Sequence, residues 1–124
     1  MKNMFKAFLL FTTVLFFSCA SNAQEKTIQM ATMVTDTLKA QLSLTDVQYK
    51  KAYDANLAFI NSAKAAKQSD GGRREKAKAL KAADAKRDEA MKGILDAKQY
   101  GLYLEKKKEN REKLRDAAQK RRNG

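Results

Sequence analysis

Histidine, proline and tryptophan are absent from the 124 residues, and Cys19 is the sole cysteine. Without imidazole there is no histidine general base, no Ser/His or Cys/His nucleophile pair and no ordinary zinc site. A single thiol cannot form an internal disulfide, so neither stability nor redox chemistry is expected to depend on one. The one glycine pair, Gly71-Gly72, is followed by Arg73-Arg74 and lacks the Lys and Ser/Thr of a phosphate-binding loop. These absences together predict a non-catalytic protein with no cofactor and no resident metal. The absence of proline removes the strongest breaker of a long helix.

Cationic charge is plentiful. Lys and Arg number 26 against 14 Asp and Glu, a net charge of +12. Such a surplus predicts acidic partners or polyanions rather than a particular fold.

The amino-terminal stretch reads as a signal peptide, residues 1–23. Lys2 and Lys6 precede an apolar run from Ala7 to Phe17, which ends in the small residues Ser18 to Ala23. The run is too short to span a bilayer, which takes about 20 apolar residues. Two processing readings stand side by side. Ser21-Asn22-Ala23 suits a general signal peptidase and leaves Gln24 first; Phe17-Ser18-Cys19 has the form of a lipobox, which would place a lipid anchor on Cys19. In either case the product is exported, with no transmembrane span, and residues 24–124 form a single domain.

That domain contains 15 Leu, Ile, Val and Phe residues among 101, a thin core for one chain, but 17 alanines and many Lys, Glu, Gln and Arg favour helix. Apolar spacing predicts four helices. The first carries Ile28, Ala31, Val34, Leu38 and Leu42. The second, to about Lys67, carries Tyr49, Ala52, Tyr53, Asn56, Leu57, Ile60 and Ala63, with Phe59 at the edge as the aromatic residue expected to be exposed. Ser69-Asp70-Gly71-Gly72 ends it. The third, from about Arg73 to Ile94, aligns Ala77, Leu80, Ala83, Arg87, Met91 and Ile94. The fourth follows, and from about residue 105 it becomes a charged, solvated helix.

Leu44-Thr45-Asp46-Val47-Gln48-Tyr49 has the form of a capping box. Thr45 caps a helix, Gln48 reaches back to the cap's N–H, and Leu44 with Tyr49 can act as a hydrophobic staple. The pattern returns 51 residues later as Leu95-Asp96-Ala97-Lys98-Gln99-Tyr100. Each copy predicts a tight helix-to-helix corner, so Leu44, Thr45, Gln48, Leu95, Asp96 and Gln99 are read as fold residues. Asp84 and Asp88 are read as i,i+4 surface acids.

Leu-Thr-x-x-Gln at 44–48, repeated as Leu-Asp-x-x-Gln at 95–99 in a small basic chain with an export signal, resembles the LTXXQ-motif family of periplasmic stress proteins, which includes the chaperone Spy and the regulator CpxP. The resemblance implies an all-α elongated hairpin or bundle forming a cradle-like homodimer. It also implies ATP-independent protection of unfolded envelope proteins in the periplasm. Lys50, Lys51, Phe59, Lys64, Lys67, Arg73 and Arg74 are the candidate client-binding residues, the cations gathered around the Gly71-Gly72 turn. Positive charge would draw in unfolded or acidic clients and apolar side chains would hold them. Two alternatives remain: an adaptor binding an envelope sensor, as in the CpxP branch, or a basic polyanion-binding protein. The basic runs lack interleaved aromatic stacking platforms, so no specific nucleic acid is expected.

Overall fold

A computed structural model describes residues 20–124, with side chains from Asn22 onward. The lipobox at Cys19 and the apolar run before it lie outside the described residues. The chain there is all-α: α1 Ala20–Leu42, α2 Asp46–Gln68, α3 Arg73–Ile94 and α4 Ala97–Asn123. Among the described residues no helix is long and apolar enough to cross a membrane. Helix α1 runs unbroken through the Ala23–Gln24 bond, and the Ala23 carbonyl accepts from Thr27 Oγ1 (2.8 Å) and Lys64 Nζ (3.5 Å).

The helices touch in a ring: α1 on α2, α2 on α3, α3 on α4 and α4 on α1. The α1–α2 and α3–α4 corners lie together at one end, and Ser69–Gly72 makes the turn at the other. The core gathers at the two-corner end, where Leu38, Leu42, Leu44, Ala52, Met91, Leu95 and Tyr103 are buried together. Helix α4 belongs to the ring only in its first half; every residue from Asn110 onward is exposed. Over 27 residues it reaches about 40 Å, so its cationic end extends past the apolar contacts that anchor its start.

The buried face of α1 is Thr27, Ala31, Thr35, Leu38 and Leu42, which corrects the expected stripe at two places. Thr35 takes the inward position and Val34 and Ile28 lie at the margins, 36% and 44% exposed. A threonine can be buried there because its hydroxyl donates to the Ala31 carbonyl (2.6 Å) and accepts from Asn56 Nδ2 (3.1 Å), leaving no lone polar atom of its own. The turn of α1 toward Thr35 leaves Met30 and Met33 at 53% and 69% exposure on the Val34 side.

Helix α1 closes with Ser43 in the left-handed region (φ 54°), and the Leu44 N–H returns to the Lys39 carbonyl at 3.4 Å, the six-to-one bond of a Schellman ending. A side chain in that conformation costs roughly 1 kcal/mol relative to glycine. Ser43→Gly is therefore expected to stabilise the chain by about 0.5–1 kcal/mol, less the extra entropy glycine gives the unfolded chain, and to raise the thermal midpoint by a few degrees. A lowered midpoint would mean that the serine side chain makes a contact worth more than the strain.

Candidate binding site

Both capping boxes form. Thr45 Oγ1 accepts from the Gln48 N–H (3.2 Å) while Gln48 Oε1 accepts from the Thr45 N–H (3.0 Å). Asp96 Oδ1 accepts from the Gln99 N–H (2.7 Å) while Gln99 Oε1 accepts from the Asp96 N–H (3.1 Å). The two boxes also bind each other. Gln48 Nε2 donates to Gln99 Oε1 (2.7 Å) and to the Ile94 carbonyl at the end of α3 (3.2 Å). Gln99 Nε2 returns both favours, to Gln48 Oε1 (3.1 Å) and to the Leu42 carbonyl at the end of α1 (3.2 Å). Each amide thus caps the start of its own helix and the end of the helix entering the other corner, with near two-fold symmetry. The exchange fixes α1 and α4 side by side. Of the two staple pairs, Leu95 and Tyr100 join the core cluster; Tyr49 instead donates its hydroxyl to Asp36 Oδ1 (2.7 Å), which raises its pKa, and Lys39 lies 5.3 Å from its ring centre.

A second polar cluster links α3 to α4. Asp84 and Asp88 are not solvated surface acids: both are half-buried, one turn apart, and Lys107 Nζ sits 2.5 Å from an oxygen of each. Arg87 binds the other Asp84 oxygen at 2.7 Å, and Tyr103 donates its hydroxyl to Asp88 (2.8 Å). The correction arises because α4 lays a lysine across the i,i+4 pair, which α3 considered alone could not show. Burial by itself would raise Asp84, but the hydrogen bond and charge of Lys107, aided by Arg87, outweigh it and lower its pKa. Burial also pushes the Tyr103 phenol upward; Arg87 opposes, and the bond to Asp88 with the nearby carboxylate charges adds to the rise.

Between α1 and α4 lies a cavity of about 210 Å³. Val34, Leu38 and the Tyr103 side chain supply apolar wall; Asn56, Arg87, Lys106 and Lys107 supply polar and cationic groups. Asn56 is 1% exposed, and among the described residues its Oδ1 has no hydrogen-bond partner; neither has the buried Nε of Arg87. Asn56 and Arg87 are the two strongly polar residues at inward positions of the α2 and α3 apolar stripes, a signal the sequence carried and stripe-reading absorbed as packing.

The expected client-binding residues do not form one cluster. Lys50 and Lys51 lie near the start of α2, by the paired corners, whereas Lys64 and Lys67 lie with Arg73 and Arg74 about the Gly71-Gly72 turn. The uninterrupted α2 puts roughly 25 Å between Lys50 and Lys67. Phe59 is half-buried rather than exposed, because the Arg87 guanidinium stands 3.9 Å from its ring centre and covers that face.

Comparison with family models, with curated proteins and with solved structures finds no match for this chain.

Proposed function

We propose that this chain is an exported, non-catalytic stress protein that shields unfolded or acidic proteins without consuming nucleotide. The observation that carries the reading is the exposed apolar shoulder of α1, Met30, Met33 and Val34, beside the cation-rich α4. Methionine is unbranched and polarizable and adapts to dissimilar apolar partners, which suits a surface meeting many sequences. Lys108, Arg111, Lys113 and Arg115 on α4 supply the long-range attraction. The apolar shoulder and the exposed length of α4 are also the surfaces a second copy would cover in a cradle-like homodimer. Leu114, 72% exposed, lies on that length. The adaptor reading uses the same face for one partner, and the polyanion reading uses the α4 cations alone.

Light scattering of an aggregating acidic client, with and without this protein, tests the proposal. Suppression without ATP is expected, weaker at 0.5 M than at 0.05 M salt because the Debye length shrinks from roughly 14 to 4 Å. Met33→Glu is expected to reduce suppression with helicity unchanged. No suppression at either salt would sink the chaperone reading, and sedimentation of the same samples gives the stoichiometry.

A further inference from the structure

We propose that the end of the bundle formed by the Ser69–Gly72 turn docks on an anionic phospholipid bilayer. The inference goes beyond the shielding of clients, and neither reading depends on the other. Four helix ends meet at this end or run toward it. The Lys64 Nζ bond to the Ala23 carbonyl (3.5 Å) places the start of α1 beside the last turns of α2. Arg73 opens α3 directly after the turn. Tyr103 reaches Asp88, while Lys107 and Arg111 reach Asp84, so α4 runs antiparallel to α3 and carries Lys120, Arg121 and Arg122 back toward the turn.

Dividing each helix at its middle separates the charge. The half nearer the turn (residues 20–31, 58–83 and 110–124) holds 14 Lys and Arg against 5 Asp and Glu, whereas the half nearer the paired corners (32–57 and 84–109) holds 10 against 9. The surplus therefore lies almost entirely at one end. Among the described residues only Arg111 of those 14 cations has a carboxylate within 4 Å, at Asp84, and every ion pair uses a carboxylate of the corner half. Glu75, one of the few acids near the turn, is engaged by the Gly72 N–H (3.3 Å) in the cap of α3.

A partner for this end must be anionic and broad. Phe59 is the one aromatic side chain in the turn half, and the Arg87 guanidinium covers its ring, so there is no stacking platform for nucleic-acid bases. Cations spread over three helix ends suit a surface whose charged headgroups can move beneath them, and each cation that approaches such a surface strengthens binding about fivefold. The sequence says which side the bilayer is on. The apolar run Ala7–Phe17 ends three residues before Ala20, so it joins the chain at this same end, as would a lipid on Cys19. Apolar and electrostatic attachment then act from one side.

Partition of the full-length chain onto vesicles of phosphatidylcholine alone, and of phosphatidylcholine with one quarter phosphatidylglycerol, tests the docking; the neutral vesicles report what the apolar run contributes by itself. At 0.05 M salt the anionic vesicles are expected to bind about tenfold tighter or more, and at 0.5 M the two should agree within about twofold. Lys67→Gln/Arg73→Gln/Arg74→Gln should remove most of the preference. Lys50→Gln/Lys51→Gln/Lys98→Gln, the same loss of charge on exposed residues at the corner end, should leave it within about twofold. No preference in the native chain, or equal loss from the two triple variants, would overturn the proposal. Displacement of the bound chain by single-stranded DNA at equal phosphate concentration would overturn it in favour of a nucleic acid. Should the turn-end triple variant lose its helical circular dichroism, Arg121→Gln/Arg122→Gln, in a stretch where every residue is exposed, takes its place with an expected drop of about fivefold or more. Protection of clients by a chain without the anionic preference overturns the docking alone.

Discussion

Replacing Gln48 or Gln99 with alanine is expected to lower the unfolding free energy by about 2–3 kcal/mol, well above the roughly 1 kcal/mol of an ordinary cap. The excess arises because each amide serves both corners. Loss of Gln48 frees the Thr45 N–H, the Ile94 carbonyl and one half of Gln99 in a part-buried place. Loss of Gln99 does the same to Asp96, Leu42 and Gln48. The double variant should cost less than the sum of the singles by about 1–2 kcal/mol, since the second deletion removes a group the first had already orphaned. Gln48→Glu is a sharper probe: it keeps the acceptor for Thr45 but turns a carboxylate toward Gln99 Oε1 and the Ile94 carbonyl, so it should be at least as damaging as alanine. Urea unfolding of the four variants beside the native chain checks this, and additive losses would mean that the corners are independent caps.

Lys107→Met is expected to cost about 2–3 kcal/mol near neutral pH. The substitution keeps most of the lysine stem but removes the charge between Asp84 and Asp88, leaving two half-buried carboxylates one turn apart with Arg87 as the nearest compensation. The pH dependence separates this from lost packing. Asp84 titrates below its unfolded value of 3.8 in the native chain, so its contribution is present above that value and disappears as pH falls through the folded pKa. Lys107 is the main cause of the lowering, so the gap between native and variant stability should narrow below about pH 4. The opposite sign applies to Tyr103: its raised pKa gives stability that is present below its unfolded value of 10.0 and is lost as pH rises further, in both chains. Denaturant midpoints from pH 3 to 11 check the pattern; a gap constant down to pH 3 would assign the loss to packing.

The duplicated hexapeptide was legible as two corners because a capping box is local: a side-chain oxygen and an N–H three residues apart. That its two glutamines are partners was not legible. A box needs only one glutamine and leaves its Nε2 hydrogens unassigned, and the recipients are carbonyls 46 and 57 residues away. Asp84 and Asp88 were misread for the same reason. Nothing within one turn of α3 announces a lysine arriving from α4. On α1 the error was of another kind, since hydropathy ranks valine above threonine, yet a threonine that satisfies its hydroxyl on its own helix can take the inward place.

Composition and periodicity thus determined the class: an alanine-rich, proline-free chain with four amphipathic stretches separated by two capping boxes and one glycine turn folds as four helices, since each signal acts over a few residues. Only the packed bundle decided which face of α1 turned inward, that the corners interlock, and that Lys107 crosses from α4 to Asp84 and Asp88. Those outcomes depend on the rotation and separation of whole helices, which are set by all the contacts at once and leave no mark in any single stretch of sequence.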